Sequence, residues 1–214
     1  MHVVPDLKVL YFGTPVVLIG SRNPDGTANL APMSSAWWLG QYCMLGLGNS
    51  AQTTANLLRE RECVLNLAPS SMVGAVDRLA MTTGRAAVPE HKAAQGYRYE
   101  PDKFAAAGLT EQKAELVAAP RVAECPIQLE CRLVAHHPFE GPSVSATAFQ
   151  VEVLRAHVEE ELVIPGTHHV DPLGWDPLIM KFCEFFGEGR VVHSSRLAEG
   201  WDMPHGALTR AAPR

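Results

Sequence analysis

The residues from Met44 to Asn56, MLGLGNSAQTTAN, carry the strongest chemical signal in the chain. An apolar run gives way to small polar residues and then to helix formers, so a strand should lead through a turn into a helix N-terminus. That junction offers unpaired backbone N–H groups and the positive end of a helix dipole, both suited to a phosphate. Asn49, Ser50, Thr53 and Thr54 add short hydrogen-bonding side chains that could finish a cradle. An ordinary strand–helix turn, with Thr53 or Thr54 as its cap, is the competing structural reading.

The same stretch contains Gly46-Leu47-Gly48-Asn49-Ser50-Ala51, a match to the dinucleotide fingerprint G-x-G-x-x-A. The fingerprint demands a parallel βαβ unit whose second strand ends in a carboxylate for the ribose. Here the next strand, Cys63 to Leu67, ends in Ala68-Pro69-Ser70, and a hairpin precedes the motif. A dinucleotide fold of the doubly wound kind is rejected.

The elements around the junction are mostly strands. Val16 to Ser21 and Thr27 to Pro32 read as a hairpin closed by Asn23-Pro24-Asp25-Gly26, and Tyr42 to Leu47 as a third strand. A helix follows Thr53 or Thr54, and Ser70 to Ala80 forms a second. The stretch from 82 to 107 loosens into an insert, and Thr110 should cap a helix that ends near Pro120. Ile127 to Ala135, Thr147 to His157 and Glu161 to Ile164 return to strand, with a further strand or extended arm over 190–197. Residues 1–204 are read as one domain and 205–214 as a flexible tail. Irregular strand–helix alternation points to a mainly β protein, an antiparallel barrel with inserted helices.

Of the 214 residues 47% are apolar, enough for one well-filled core. A net charge of -5 gives no reason to expect nucleic acid. No apolar run approaches the roughly 20 residues of a membrane span, and the start has no apolar stretch of signal-peptide length. Five cysteines without a CxxC pair fit disulfide frameworks and zinc sites badly. A cytoplasmic location is the expectation.

Three stretches, read together, add a resemblance. They are Asp25-Gly26 with Asn29-Leu30-Ala31-Pro32-Met33-Ser34-Ser35, then Asn49-Ser50 through Thr53-Thr54 to Asn56-Leu57, then Glu62-Cys63-Val64-Leu65-Asn66-Leu67. In that order they resemble the flavin reductase-like family of FMN-binding split barrels. A looser similarity runs on through Asp102-Lys103-Phe104, Ala107-Gly108-Leu109-Thr110 and Glu124-Cys125-Pro126 to about residue 155. The resemblance implies a six-stranded antiparallel split β-barrel with peripheral helices, a homodimer in which both chains line each flavin slot. It implies FMN, or FAD, as cofactor. Pro32, Met33, Ser34 and Ser35 would lie along the flavin ring, and Asn49, Ser50 and Thr53 would hold its phosphate, with Thr54 and Asn56 beside them. It implies NAD(P)H as co-substrate and a partner monooxygenase or another acceptor for the reduced flavin. Direct action on a small organic substrate, and a non-catalytic flavin or haem carrier, are the alternatives.

Members that reduce free flavin often carry a Gly-Asp-His motif near the nicotinamide. The corresponding neighbourhood here reads Ala135-His136-His137-Pro138-Phe139-Glu140-Gly141, which lacks it. His136 or His137 could substitute, although a histidine pair in a loop is more often solvent-facing. Elsewhere, His168-His169-x-Asp171 has metal-ligand residue types without a third ligand at sensible spacing. Trp37 and Trp38 could wall a pocket or pack in a core or interface. Arg85, Lys92 and Lys103 could reach a phosphate, with solvated loop charge as the default. Lys181 and Arg190 flank an aromatic run suited to an oligomer arm. The cysteines should act as small core residues.

Overall fold

The computed structural model describes residues 1–142, 144–193, 195, 197, 201 and 203. Strands β1 (Phe12–Pro15), β2 (Val17–Arg22), β3 (Ala28–Met33), β4 (Ala36–Leu39) and β5 (Tyr42–Gly48) lead into helix α1 (Gln52–Glu60) and strand β6 (Glu62–Leu67). Helix α2 (Val73–Ala80) follows. The insert then holds β7 (Thr82–Thr83), α3 (Glu90–Ala94), β8 (Arg98–Tyr99) and α4 (Lys103–Ala107). Short strands β9 (Glu111–Gln112) and β10 (Arg121–Val122) precede two 15-residue strands, β11 (Ile127–Gly141) and β12 (Val144–Val158). Strands β13 (Ile179–Lys181) and β14 (Glu184–Phe186) come last.

Seven strands, one more than the expected six, form an antiparallel sheet in the order β3-β2-β6-β11-β12-β5-β4. Its far-apart strands meet in one core: Val17 and Ile19 of β2 share a cluster with Cys43, Leu45 and Leu47 of β5, around Phe149. A flat sheet could not bring them together, so the sheet is curled into a split barrel. A second core lies outside the curl, where Val16, Leu18 and Leu30 pack with Val76 and Leu79 of α2 and Phe104 of α4. Strand β2 is therefore buried on both faces, which is why its sequence is continuously apolar rather than alternating.

The hairpin turn forms as its residues dictate. Asp25 Oδ1 accepts from the Thr27 N–H at 3.0 Å, and Gly26 takes φ +82°. The threonine cap expected for α1 does not form: the helix begins after Ala51 without a side-chain cap, and both threonines fall inside its first turn. Thr54 donates instead to the Gly48 carbonyl at 2.8 Å, and Thr53 Oγ1 accepts from Asn29 Nδ2 at 3.1 Å.

No helix forms over 110–120. A buried carboxylate takes the backbone N–H groups that a helix would need. Glu130 Oε1 accepts from Glu115 N at 2.9 Å and lies 2.6 Å from His157 Nε2, and its Oε2 accepts from Leu116 N at 2.6 Å and Val117 N at 3.2 Å. Pro120 then presses on Gly20, where an added Cβ would stand 2.1 Å from the Pro120 oxygen. The expected strand at 161–164 is a 3-10 turn over Glu160–Leu162, because Leu162 N and Val163 N bond back to Glu159 O and Glu160 O. Among the described residues of 190–197 no strand forms, and the tail expected over 205–214 lies outside the described residues. The aromatic run near Lys181 is a hairpin, β13–β14, added to β1. No helix among the described residues is long and apolar enough to cross a membrane.

Candidate functional site

A groove follows β3 on the outside of the barrel, between the first turn of α1 and the last turn of α2. One end, about 180 Å³, is polar: Asn29, Gln52, Thr53, Thr82, Thr83, Gly84, Lys92 and Lys103 line it together with Tyr97. The adjoining part, about 170 Å³, is apolar, with Val16, Pro32, Met33, Ser34, Val76, Ala80, Met180 and Phe185. Pro32, Met33 and Ala80 belong to both parts, so they form one continuous slot.

The insert, whose charges were expected to be solvated, supplies the polar end with cations. Chain topology explains the correction: β8 pairs with β7 and α4 packs on β3 and α2, which returns 82–107 to the barrel. Lys103 is only 4% exposed, its Nζ donates to the Thr82 carbonyl at 3.4 Å, and no carboxylate pairs with it among the described residues. Burial, then the nearby charge of Lys92, lower its pKa from 10.5 to about 8, against the pull of Glu100. Lys92 is lowered as well, by burial and then by Arg85. Arg85 reaches the Ala51 carbonyl at 3.5 Å and leaves a buried Nε without a partner, as Asn29 leaves its Oδ1. Three mutually repelling cations beside a helix N-terminus, with the Arg85 Nε donor unmet among the described residues, fit an anion held in the groove.

A family model described as "Flavin reductase like domain" matches residues 9–180. The chain belongs to this family. It is 37% identical over 185 residues to the uncharacterized protein YdfE of Bacillus subtilis (strain 168), covering 86% of this chain and 88% of that one. In structure it is similar to the flavoredoxin of Desulfovibrio vulgaris (Miyazaki F), with TM-score 0.74, 21% identity, and 93% and 100% of the two chains covered. It is also similar to nitrilotriacetate monooxygenase component B from Bacillus cereus, with TM-score 0.69, 21% identity, and 86% and 88% covered. The curled antiparallel barrel is thus the split barrel of the flavin reductase-like family, and the protein is a flavin reductase-like oxidoreductase.

Within this flavin reductase-like barrel the residues singled out from sequence divide. Pro32, Met33 and Ser34 line the apolar slot, and Thr53 the polar end. Ser50 Oγ stands at the same helix start, 3.3 Å from His91 Nε2. Ser35 faces the other way, into a separate apolar cavity. Asn49 is turned to β12, donating to Ser145 at 3.0 Å and accepting from Thr147 at 2.7 Å. Asn56 is fully buried, and its Nδ2 donates to Ser21 and Asn23, both at 3.1 Å. Asn56 and Thr54 therefore brace α1 rather than line the groove.

His136 and His137 lie in β11, not in a loop, because β11 and β12 run far beyond the expected strands. Both are exposed and neither lines the slot. Trp38 packs on the barrel core, and Trp37 lines the separate cavity. Four cysteines are buried as expected, but Cys183 is exposed in the β13–β14 turn, and all five are free. Among the described residues no three His, Cys, Asp or Glu side chains could hold a metal ion. Sequence reasoning missed Thr82, Thr83, Gly84, Met180 and Phe185. The three cations of the insert were its only signal.

Proposed function

We propose that the chain binds FMN along the β3 groove and works as an NAD(P)H-dependent flavin reductase, passing electrons to a partner oxygenase or another acceptor. The observation that carries this reading is an apolar slot leading directly to a polar end where buried Lys103 and half-buried Lys92 stand beside a helix N-terminus, with no carboxylate on Lys103 among the described residues. A bound flavin accepts hydride from reduced nicotinamide and passes on electrons, so the protein need supply no acid or nucleophile. Pro32, Met33, Ala80, Met180 and Phe185 then shield the ring from water, and Ser34 offers its hydroxyl. Lys103, Lys92, Arg85, Ser50 and the α1 N-terminus hold the phosphate. The Oδ1 of Asn29 and the hydroxyl of Thr53 meet the hydroxyls of the chain between. Free thiols throughout support a reducing, cytoplasmic setting. Exposed Leu39 and Tyr42, paired at the β4–β5 end of the sheet, support a homodimer built on that edge.

One observation favours direct action on an organic substrate as a second reading: the apolar cavity entered by Ser35, beside a chain without Gly-Asp-His. Anaerobic absorbance spectra of the FMN-loaded protein, taken before and after NADH and then NADPH, separate the readings. Bleaching by nicotinamide, and faster NAD(P)H oxidation when free FMN is added, supports the reductase. Bound flavin that neither nicotinamide bleaches rules the reductase out and leaves the second reading or a non-catalytic flavin carrier.

A further inference from the structure

We infer that the cavity beside Ser35 is a binding site for an uncharged, planar aromatic molecule. The site is a cavity separate from the β3 groove that meets it at Ser34 and Ser35, and it rests on the proposed flavin position only for what stands next to it. Its volume is about 500 Å³, within the range of small-molecule pockets. Ser34 lines the flavin slot and Ser35 lines this cavity, so adjacent residues at the end of β3 front both.

The floor is flat because its residues are small. Gly46 and Ala148 are directly paired across β5 and β12, and Ala146 lies two residues along the same face. Gly46 also donates its N–H to the Ser35 carbonyl at 2.9 Å, which fixes the floor against the cavity's inner edge. The walls are aromatic: Tyr11, Trp37 and Phe139, the last two 58% and 63% exposed. A flat floor with ring walls selects a flat ring through stacking and edge contacts.

Among the described residues no charged side chain lines the cavity, and the cations that line the groove, Lys92 and Lys103, lie at its far, polar end. A nucleotide's phosphates would find no partner here, so the site suits a neutral organic molecule rather than a dinucleotide. The hydroxyl of Thr14 is buried in the cavity wall with no partner among the described residues. It calls for one polar group on the ligand, since a buried hydroxyl left unpaired is costly.

Calorimetric titration of the FMN-loaded protein with 2-naphthol and with 2-naphthoate tests the assignment. The neutral probe should bind at least about tenfold more tightly than its charged analogue. Ala148→Leu, which fills the floor, and Trp37→Ala, which removes a wall, should each weaken 2-naphthol about tenfold or more while FMN affinity holds within about twofold. Thermal unfolding and sedimentation of each variant check fold and assembly. Failure of wild-type protein to bind 2-naphthol, or equal binding of both probes, overturns the inference while leaving the flavin reading intact. So does an Ala148→Leu variant that binds 2-naphthol normally but dissociates into monomers, which would mean that a second copy fills the cavity. Naphthol binding by protein that takes up no flavin would sink the flavin reading instead and uphold this site.

Discussion

Lys103 carries its charge to a buried place where no carboxylate among the described residues answers it, so its protonation and ligand binding are linked. Burial holds its pKa at about 8, against 10.5 when solvated. In the flavin-free protein the unfolded chain binds more protons than the folded one between these values, so this residue's penalty is full below pH 8 and fades as pH rises. A bound phosphate reverses the preference by favouring the charged form. The preference for FMN over riboflavin should therefore be full below pH 8 and shrink about tenfold from pH 7 to pH 9, by flavin fluorescence titration. Lys103→Met should lower FMN affinity by roughly 10- to 100-fold, the worth of a charge-assisted contact, and leave riboflavin unaffected. Gly84→Ala should also weaken FMN, because its Cβ would stand 2.6 Å from Asn29 Oδ1. The α1 start was legible in sequence because a helix N-terminus is a local feature. The partner of Lys103 was not, because it depends on where α4 docks.

At the scale of elements, the 113–119 loop is held chiefly by the Glu130 carboxylate, which takes three of its N–H groups, with Glu62 taking that of Ala118. Burial of Glu130 raises its pKa, but bonds from Glu115 N, Leu116 N and His157 outweigh that and hold it below the ordinary carboxylate range. Its stabilisation is present at neutral pH and is lost as pH falls through that lowered pKa. Glu130→Ala, which leaves three N–H groups without an acceptor, should cost about 3 kcal/mol or more in urea unfolding at pH 7. Gly20→Ala should be comparably damaging, since the Pro120 backbone cannot yield 1 Å without dislodging the loop. Hairpin β2–β3 and strand β6 could be read from turn chemistry and apolar runs. The missing helix at 110–120 could not, because its competitor, Glu130, sits on a strand elsewhere in the chain. Strand ends at β11 and β12 ran long for a similar reason: cross-strand pairing, not local propensity, carries them to Gly141 and Val144.

For the whole molecule, the polar end and the apolar slot are continuous through Pro32, Met33 and Ala80, and Ser34 and Ser35 at the end of β3 front the slot and the aromatic cavity in turn. The polar end lies under the insert, and the aromatic cavity is lined by Ala36 and Trp37 of β4 and Met44 to Gly46 of β5. A homodimer built on the β4–β5 edge should sediment as twice 23.2 kDa, and Leu39→Asp should shift it toward monomer. The barrel itself was recognisable from the order of three short stretches, while the strand that forms its edge, β4, was not resolved from the turn around it.

Whether this barrel holds FMN is decided most directly by what fills the polar end of the groove. Parallel titrations of the flavin-free protein with FMN and riboflavin at pH 7, followed by flavin fluorescence, measure that in one experiment. FMN should bind saturably and at least about tenfold more tightly than riboflavin, the difference being the phosphate. Equal binding of the two, or no binding of either, would contradict the FMN reading.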